Sequence, residues 1–178
     1  MHVAKSVAGL PKAAAYRELH GQLAALFAGE RNGLANAANM SALLYEALPN
    51  LNWAGFYFLQ EGELVVGPFQ GRVACVRIPL GRGVCGAAAE RRETLIVADV
   101  NAFPDHIACD SASRSEIVVP LIQNGALLGV LDIDSSIKNR FDQEDAAGLS
   151  AAADLLLKSS DLSQFFDRGP VIHYKSAS

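Results

Sequence analysis

The side chains able to do redox or nucleophilic chemistry in this 178-residue chain are three cysteines, Cys75, Cys85 and Cys109. Cys109 lies in the stretch DVNAFPDHIACDSASR, residues 99–114, which has no sustained hydrophobic period and reads as a long polar loop. Loops of that length inside a compact domain are often functional. His106 stands three residues before Cys109, with Asp105 and Asp110 near it. The thiolate, not the thiol, is the nucleophile, and it needs a local field or hydrogen bonds to form at neutral pH. By position alone Cys109 is either such a reactive thiol or an inert buried one. His106 could act as base in a Cys/His hydrolase, but the sequence offers no partner to orient it. A His106/Cys109 metal pair lacks two further ligands at plausible spacing.

The second constellation is acidic. Glu116 opens one apolar strand and Asp132 and Asp134 close the next, with Asn124-Gly125 between them. Asn-Gly is the strongest short-range hairpin signal, because a type I′ turn needs positive φ at both positions. Counting outward, Glu116 is eight residues before Asn124, and Asp132 and Asp134 are seven and nine after Gly125. Across an antiparallel pair these positions fall beside one another, and Asp132 and Asp134 share a face because side chains alternate with period two. Three carboxylates gathered at the strand ends would repel, and at least one would take a raised pKa. A protonated carboxyl beside a thiol is a proton donor. The charge pattern alone favours a solvated sheet end with ordinary surface acids.

Trp53 and Tyr57 are four apart on a strand-like segment and so face the same way. Their rings could line an apolar slot for a small group, or simply belong to the core. Gly81-Arg82-Gly83-Val84-Cys85-Gly86 matches GxGxxG, and Asp99 lies 18 residues after Gly81. That fingerprint requires a parallel βαβ unit. An antiparallel hairpin follows here, so the glycines are read as a tight entry into a short helix.

The elements that must position these residues follow from periodicity. Residues 12–28 predict a helix with Tyr16, Leu19, Leu23, Leu26 and Phe27 on one face. A second helix is expected over about 33–48, with Leu34, Ala37, Met40, Leu44 and Ala47 on its face and Pro49 as a stop. Asn52 to Leu59 is strand-like, Glu61-Gly62-Glu63 is a turn, and Leu64 to Val66 returns as a hairpin. Further short strands are expected over Val73–Ile78 and Thr94–Val97, with a short helix over Gly81–Glu90 between them. Glu116–Gln123 and Ala126–Ile133 form the Asn-Gly hairpin. The last helix, about 143–158, is capped by Asp142 and buries Leu149, Ala153, Leu156 and Leu157. The sum is an α+β fold: an antiparallel sheet of about five or six strands, flanked by two N-terminal helices and one C-terminal helix. We expect one domain over 1–178, with a core of about 12–158 and a tail over 160–178.

Composition narrows the function classes. Hydrophobic residues are 51% and charged residues 19%, so the chain is not a disordered one. Fifteen Lys and Arg against nineteen Asp and Glu give a net charge of −4, and the basic residues are scattered. A nucleic-acid surface or an anionic-membrane surface is not expected from that balance. Lys5, Pro11 and Lys12 interrupt any apolar leader, and no apolar run approaches the roughly 18 residues of a membrane span. A cytoplasmic protein is expected. Three cysteines without a CxxC fit neither a disulfide framework nor a zinc ribbon.

Several strings together resemble one family. NWAGFYF, GPFQGRVACVRIPLGRGVCG, HIACDSASRSEIVVPL and GVLDIDS look like the free methionine-(R)-sulfoxide reductases, which are stand-alone GAF domains. The resemblance runs from about Asn52 to Asp154. It implies a GAF fold, commonly a homodimer. It also implies that Cys109 is the catalytic cysteine and that Cys75 forms a disulfide with it. Cys85 matches a third cysteine, outside the simplest scheme but able to assist recycling. Glu116, Asp132 and Asp134 match the acidic substrate pocket, and Glu116 and Asp134 are carried with the cysteines as the reacting set. Trp53 and Tyr57 match the pocket for the substrate's terminal methyl group. The implied substrate is free methionine-(R)-sulfoxide, the implied reductant thioredoxin or a similar dithiol, and no metal or organic cofactor is expected. The competing class is a GAF module that senses a small ligand without catalysis.

Overall fold

The computed structural model describes residues 5–105 and 111–165. Helices α1 (Lys12–Phe27) and α2 (Gly33–Ala47) come first, followed by the hairpin β1 (Leu51–Gln60) and β2 (Glu63–Gly71). Then come β3 (Arg77–Pro79), α3 (Gly83–Arg91), β4 (Leu95–Val97), a 3-10 turn over Val100–Ala102, the hairpin β5 (Ser115–Gln123) and β6 (Ala126–Ser135), and α4 (Gln143–Ser159). The six strands form one sheet in the order β3-β2-β1-β6-β5-β4, and every neighbouring pair is antiparallel. The α+β class, the strand count and the helices on either side of the sheet segment agree with the sequence.

Period-two alternation divides the sheet into two faces. Ala54, Phe56 and Phe58 of β1, Ile117, Val119 and Leu121 of β5, and Leu131 and Ile133 of β6 point to one side, where α2 and α4 cover them and α1 packs in turn on α4 and α2. Trp53 and Tyr57 of β1, Val118 of β5 and Val130 of β6 point to the other, where α3 packs. The acids of β5 and β6 share this second face at one end of the strands. The three large helices thus supply the main core, and α3 packs on the chemical face together with Val100, Leu80 and Phe103 of the connecting segments.

Local signals explain most boundaries. Asn32 caps α2 by accepting from Ala35 N–H at 3.0 Å. Asp142 caps α4 by accepting from Glu144 and Asp145 N–H at 2.9 and 3.2 Å, and the Asp145 carboxylate accepts from Asp142 N–H at 3.0 Å, closing a capping box. Asn124 and Gly125 have φ of 53° and 79°, the left-handed pair that the hairpin turn demands.

Three expectations need correction. Leu34 is exposed rather than facing the core, because the buried stripe of α2 begins one residue earlier, at Gly33, and continues through Ala37, Met40 and Leu44. The second strand does not end at Val66 but runs to Gly71. Its register shifts between Gly55 and Tyr57, so that Gly67 and Pro68 lie in a bulge, where Pro68 can lack an N–H without breaking the ladder. The extended run expected over Val73–Ile78 pairs only as the three residues of β3. The core also reaches past its expected limits: Val7 and Leu162 are buried in it, and Phe165 stacks on Phe58 with ring centroids 3.9 Å apart.

Candidate active site

The β5–β6 register places Glu116 directly opposite Asp134, and Asp132 opposite Val118. On its other side β6 pairs with β1, setting Asp134 beside Trp53 and Asp132 beside Gly55. The three acids therefore gather on one face at one sheet end, as the count from Asn124-Gly125 predicts. Glu116 and Asp132 are each only 6% exposed, and Asp134 is half-buried. They are not a solvated sheet end.

Cys85, in the first turn of α3, lies over this pair. It is free and buried, and its thiol donates to Glu116 Oε1 at 3.8 Å. Its Sγ and the carboxylate oxygens of Glu116 and Asp132 all lie within 4.8 Å of one another. Burial pushes the Cys85 thiol well above its ordinary range, and the acids beside it push further. Burial also raises Glu116 well above the carboxylate range, with the charges of Asp132 and Asp134 adding to it. Asp132 is pushed up to about 7 by burial, held back by hydrogen bonds from Cys85 and Glu116. Two carboxyls this close and this dry cannot both ionise cheaply, so at neutral pH the pair retains a proton, with Glu116 as donor toward Asp132. The same three side chains offer the spacing a cation would need, but a cation would first have to displace the protons that burial holds there.

Aromatic rings wall the site. Trp53 stacks on Tyr57 with centroids 5.7 Å apart and on Phe69 at 5.2 Å. Gly55 makes this stack possible: a Cβ there would stand 2.3 Å from Phe69 Cβ and 2.7 Å from Trp53 Cη2. Tyr57 Oη donates to the backbone carbonyl of Cys75 at 3.2 Å, tying the aromatic wall to the segment that carries that cysteine. Two buried polar atoms, Trp53 Nε1 and Asp132 Oδ1, have no hydrogen-bond partner among the described residues. A buried donor and a buried acceptor left in this state are expensive unless something else satisfies them.

Cys75 is half-buried and disulfide-bonded. Cys109 lies outside the described residues, as do His106 and Asp110. The structure thus brings together Trp53, Tyr57, Cys85, Glu116, Asp132 and Asp134, with Cys75 beside Tyr57. Sequence reasoning missed one member, Phe69, and one contact within the site. Phe69 falls opposite Gly55 only once the bulge at Gly67-Pro68 is allowed, and a Gly-Pro pair inside a strand-like run was the available signal. The bond from Cys85 to Glu116 joins residues 31 apart and leaves no local trace.

The GAF domain family matches residues 1–158. The free methionine-R-sulfoxide reductase of Escherichia coli K12 is 52% identical over 154 residues, covering 85% of this chain and 93% of that protein. Among solved structures, the free methionine-R-sulfoxide reductase of Neisseria meningitidis in complex with its substrate superposes with a TM-score of 0.85 at 49% identity, covering 89% of this chain and 95% of that one. A putative GAF sensor protein from Burkholderia vietnamiensis superposes with a TM-score of 0.82 at 55% identity, covering 84% and 96%. The chain belongs to the GAF domain family and, within it, to the free methionine-R-sulfoxide reductases.

Proposed function

We propose that the chain reduces free methionine-(R)-sulfoxide to methionine with Cys109 as the nucleophile. The observation that supports this most is the burial of Glu116 and Asp132 side by side against an aromatic wall, with Asp132 Oδ1 unpartnered among the described residues; burial raises both carboxyls, which favours a proton held on the pair. A sulfoxide sulfur becomes electrophilic when its oxygen is protonated or strongly hydrogen-bonded, and a carboxylic acid held in such a site supplies that proton.

In this scheme the Glu116–Asp132 pair gives its proton to the sulfoxide oxygen. The Cys109 thiolate attacks the sulfur, the S–O bond breaks, and methionine leaves with the hydroxyl transferred to Cys109 as a sulfenic acid. The thiol of Cys75 condenses with the sulfenic acid, releasing water and forming a Cys75–Cys109 disulfide. The disulfide carried by Cys75, together with the free state of Cys85, supports that pairing. Thioredoxin or a similar dithiol returns both cysteines to thiols by exchange. Trp53, Tyr57 and Phe69 receive the terminal methyl group, and Asp134, half-buried at the rim, receives the substrate's α-ammonium. A homodimer and a reducing, cytoplasmic setting go with this reading, since disulfides there are usually transient and catalytic. A sensor without catalysis would leave the Cys75 disulfide and the protonated acid pair without a task.

The test is stereochemical. The proton donor and the methyl slot lie on different strands, so only one sulfoxide epimer can offer its oxygen to the acid and its sulfur to the thiolate together. The wild type should consume the R epimer and leave S, and Cys109→Ser should consume neither. Equal consumption of both epimers, or full turnover by Cys109→Ser, would remove the basis for this reading.

A further inference from the structure

Beyond Gly71 the chain leaves β2 and re-enters the sheet only at Arg77, and Cys75 sits in this connection. Two valines stand on either side of it. Val73 is 88% exposed and Val76 is 65% exposed, more than any other large hydrophobic residue described. Single exposed apolar side chains are ordinary on protein surfaces. These two are different in their setting. The disulfide-bonded Cys75 lies between them, itself half-buried, and the connection is anchored rather than loose: Val76 C=O accepts from Val66 N–H at 3.0 Å, and Cys75 C=O accepts from Tyr57 Oη at 3.2 Å. Beyond Val76 the surface turns polar at Arg77, which pairs with Glu63 at 3.5 Å. A fixed apolar centre with a charged rim is the anatomy of a protein-binding patch.

We propose that Val73 and Val76 form the docking surface for the dithiol protein that re-reduces the enzyme, and that they direct its attacking sulfur onto Cys75. This rests on the Cys75–Cys109 disulfide of the proposed function. The occupant follows from the chemistry: each turnover leaves a disulfide, and a dithiol opens it by attack of its thiolate. In the exchange, one thiolate of the reductant attacks Cys75 Sγ, the Cys75–Cys109 bond breaks, and Cys109 leaves as the thiolate it must be for the next substrate. The reductant's second thiolate then attacks its own sulfur in the mixed disulfide and releases Cys75. Two electrons pass to the enzyme and the reductant ends as a disulfide. A small interface suits such an encounter, since weak redox complexes lie at the low end of interface size. A small-molecule dithiol reaches the same sulfur without using the valines.

That difference supplies the test. Neutral substitutions, Val73→Ser and Val76→Ser singly and together, avoid placing a charge beside the disulfide. In steady-state assays with free methionine sulfoxide, the double variant should lose about tenfold or more in kcat/KM for thioredoxin, equivalent to about 1.4 kcal/mol of binding. Its turnover with dithiothreitol should be unchanged. A thioredoxin lacking its second thiol should be trapped on Cys75 by peptide mapping, and less so on the double variant. Equal losses with both reductants, no loss with thioredoxin, or trapping on Cys109 would overturn the proposal. Failure of the reductase reading itself is distinguishable, because the wild type would then not turn over even with dithiothreitol.

Discussion

The thiol of Cys85 donates to Oε1 of Glu116 at 3.8 Å across the end of the sheet, and both side chains are buried. This bond gives Cys85 a task besides redox chemistry: it is one of the few polar groups that meets Glu116 inside the protein. It also favours the charged form of Glu116, against the much larger opposing effect of burial. Cys85→Ala should therefore leave the disulfide chemistry whole while disturbing the acid. We expect kcat/KM to fall roughly two- to tenfold, the worth of one ordinary hydrogen bond. Quenched-flow methionine release and steady-state turnover should fall together. A variant that keeps its first turnover but stalls thereafter would place Cys85 in recycling instead.

The acid pair sets the pH dependence. Activity should fall at high pH as the pair loses its last proton. Part of the lift on Glu116 comes from the charge of Asp132, so Asp132→Asn should move that alkaline limb to lower pH as well as weaken binding. Single-turnover methionine release by pre-reduced protein, followed against pH, checks this. A limb that stays in place would mean that the titrating acid is elsewhere.

The same burial affects stability, with the opposite sign to an ordinary surface acid. Asp132 is raised to about 7 in the fold, so the native state binds more protons than the unfolded chain between the usual carboxylate range and neutrality. Stability must fall as pH rises through that window. Asp132→Asn removes the ionisation, and its Tm should be higher than the wild type's at pH 8 and converge with it near pH 4. The site would then be a place where stability is given up for chemistry.

The half-buried Asp134 should distinguish the free amino acid from a methionine within a peptide, because only the former carries an α-ammonium. Losing a charge-assisted hydrogen bond of this kind costs roughly 1.5–3 kcal/mol, or about tenfold to over a hundredfold in kcat/KM. N-acetylmethionine sulfoxide should be the poorer substrate by that factor, and Asp134→Asn should narrow the gap by harming only the free substrate. Equal rates for both compounds in the wild type would show that the site does not read the ammonium.

Gly55 carries a packing prediction. Its missing Cβ is the space that Trp53 and Phe69 occupy, so Gly55→Ala should cost about 1–3 kcal/mol by overpacking. The fall in Tm should come with a raised KM for sulfoxide, because the displaced ring is Trp53. Unchanged KM would separate the aromatic stack from substrate binding.

How far this site was legible in the sequence depends on the distance over which each part is specified. The Asn124-Gly125 turn is a two-residue signal, and once it fixes the register, the convergence of Glu116, Asp132 and Asp134 follows by counting. The faces of α1 and α4 follow from the same local periodicity. The Gly67-Pro68 bulge misled because both residues usually end a strand, and only pairing with β1 shows that this one continues to Phe69. Leu34 misled because Gly33, which lies against Asp161 and Leu162, carries no hydrophobic signal for the stripe it begins. The bond of Cys85 to Glu116 and that of Tyr57 to the Cys75 carbonyl are tertiary contacts with no local pattern. The roles given to Cys109 and Cys75 came from resemblance, not from periodicity.

The most direct test of the central claim counts thiols. Fully reduced protein is mixed with excess racemic free methionine sulfoxide in the absence of any reductant, and methionine and free thiols are measured per chain. The account predicts one methionine released, only the R epimer consumed, and two thiols lost, with Cys85 the one that remains titratable after unfolding. Three thiols still free and no methionine formed would contradict it.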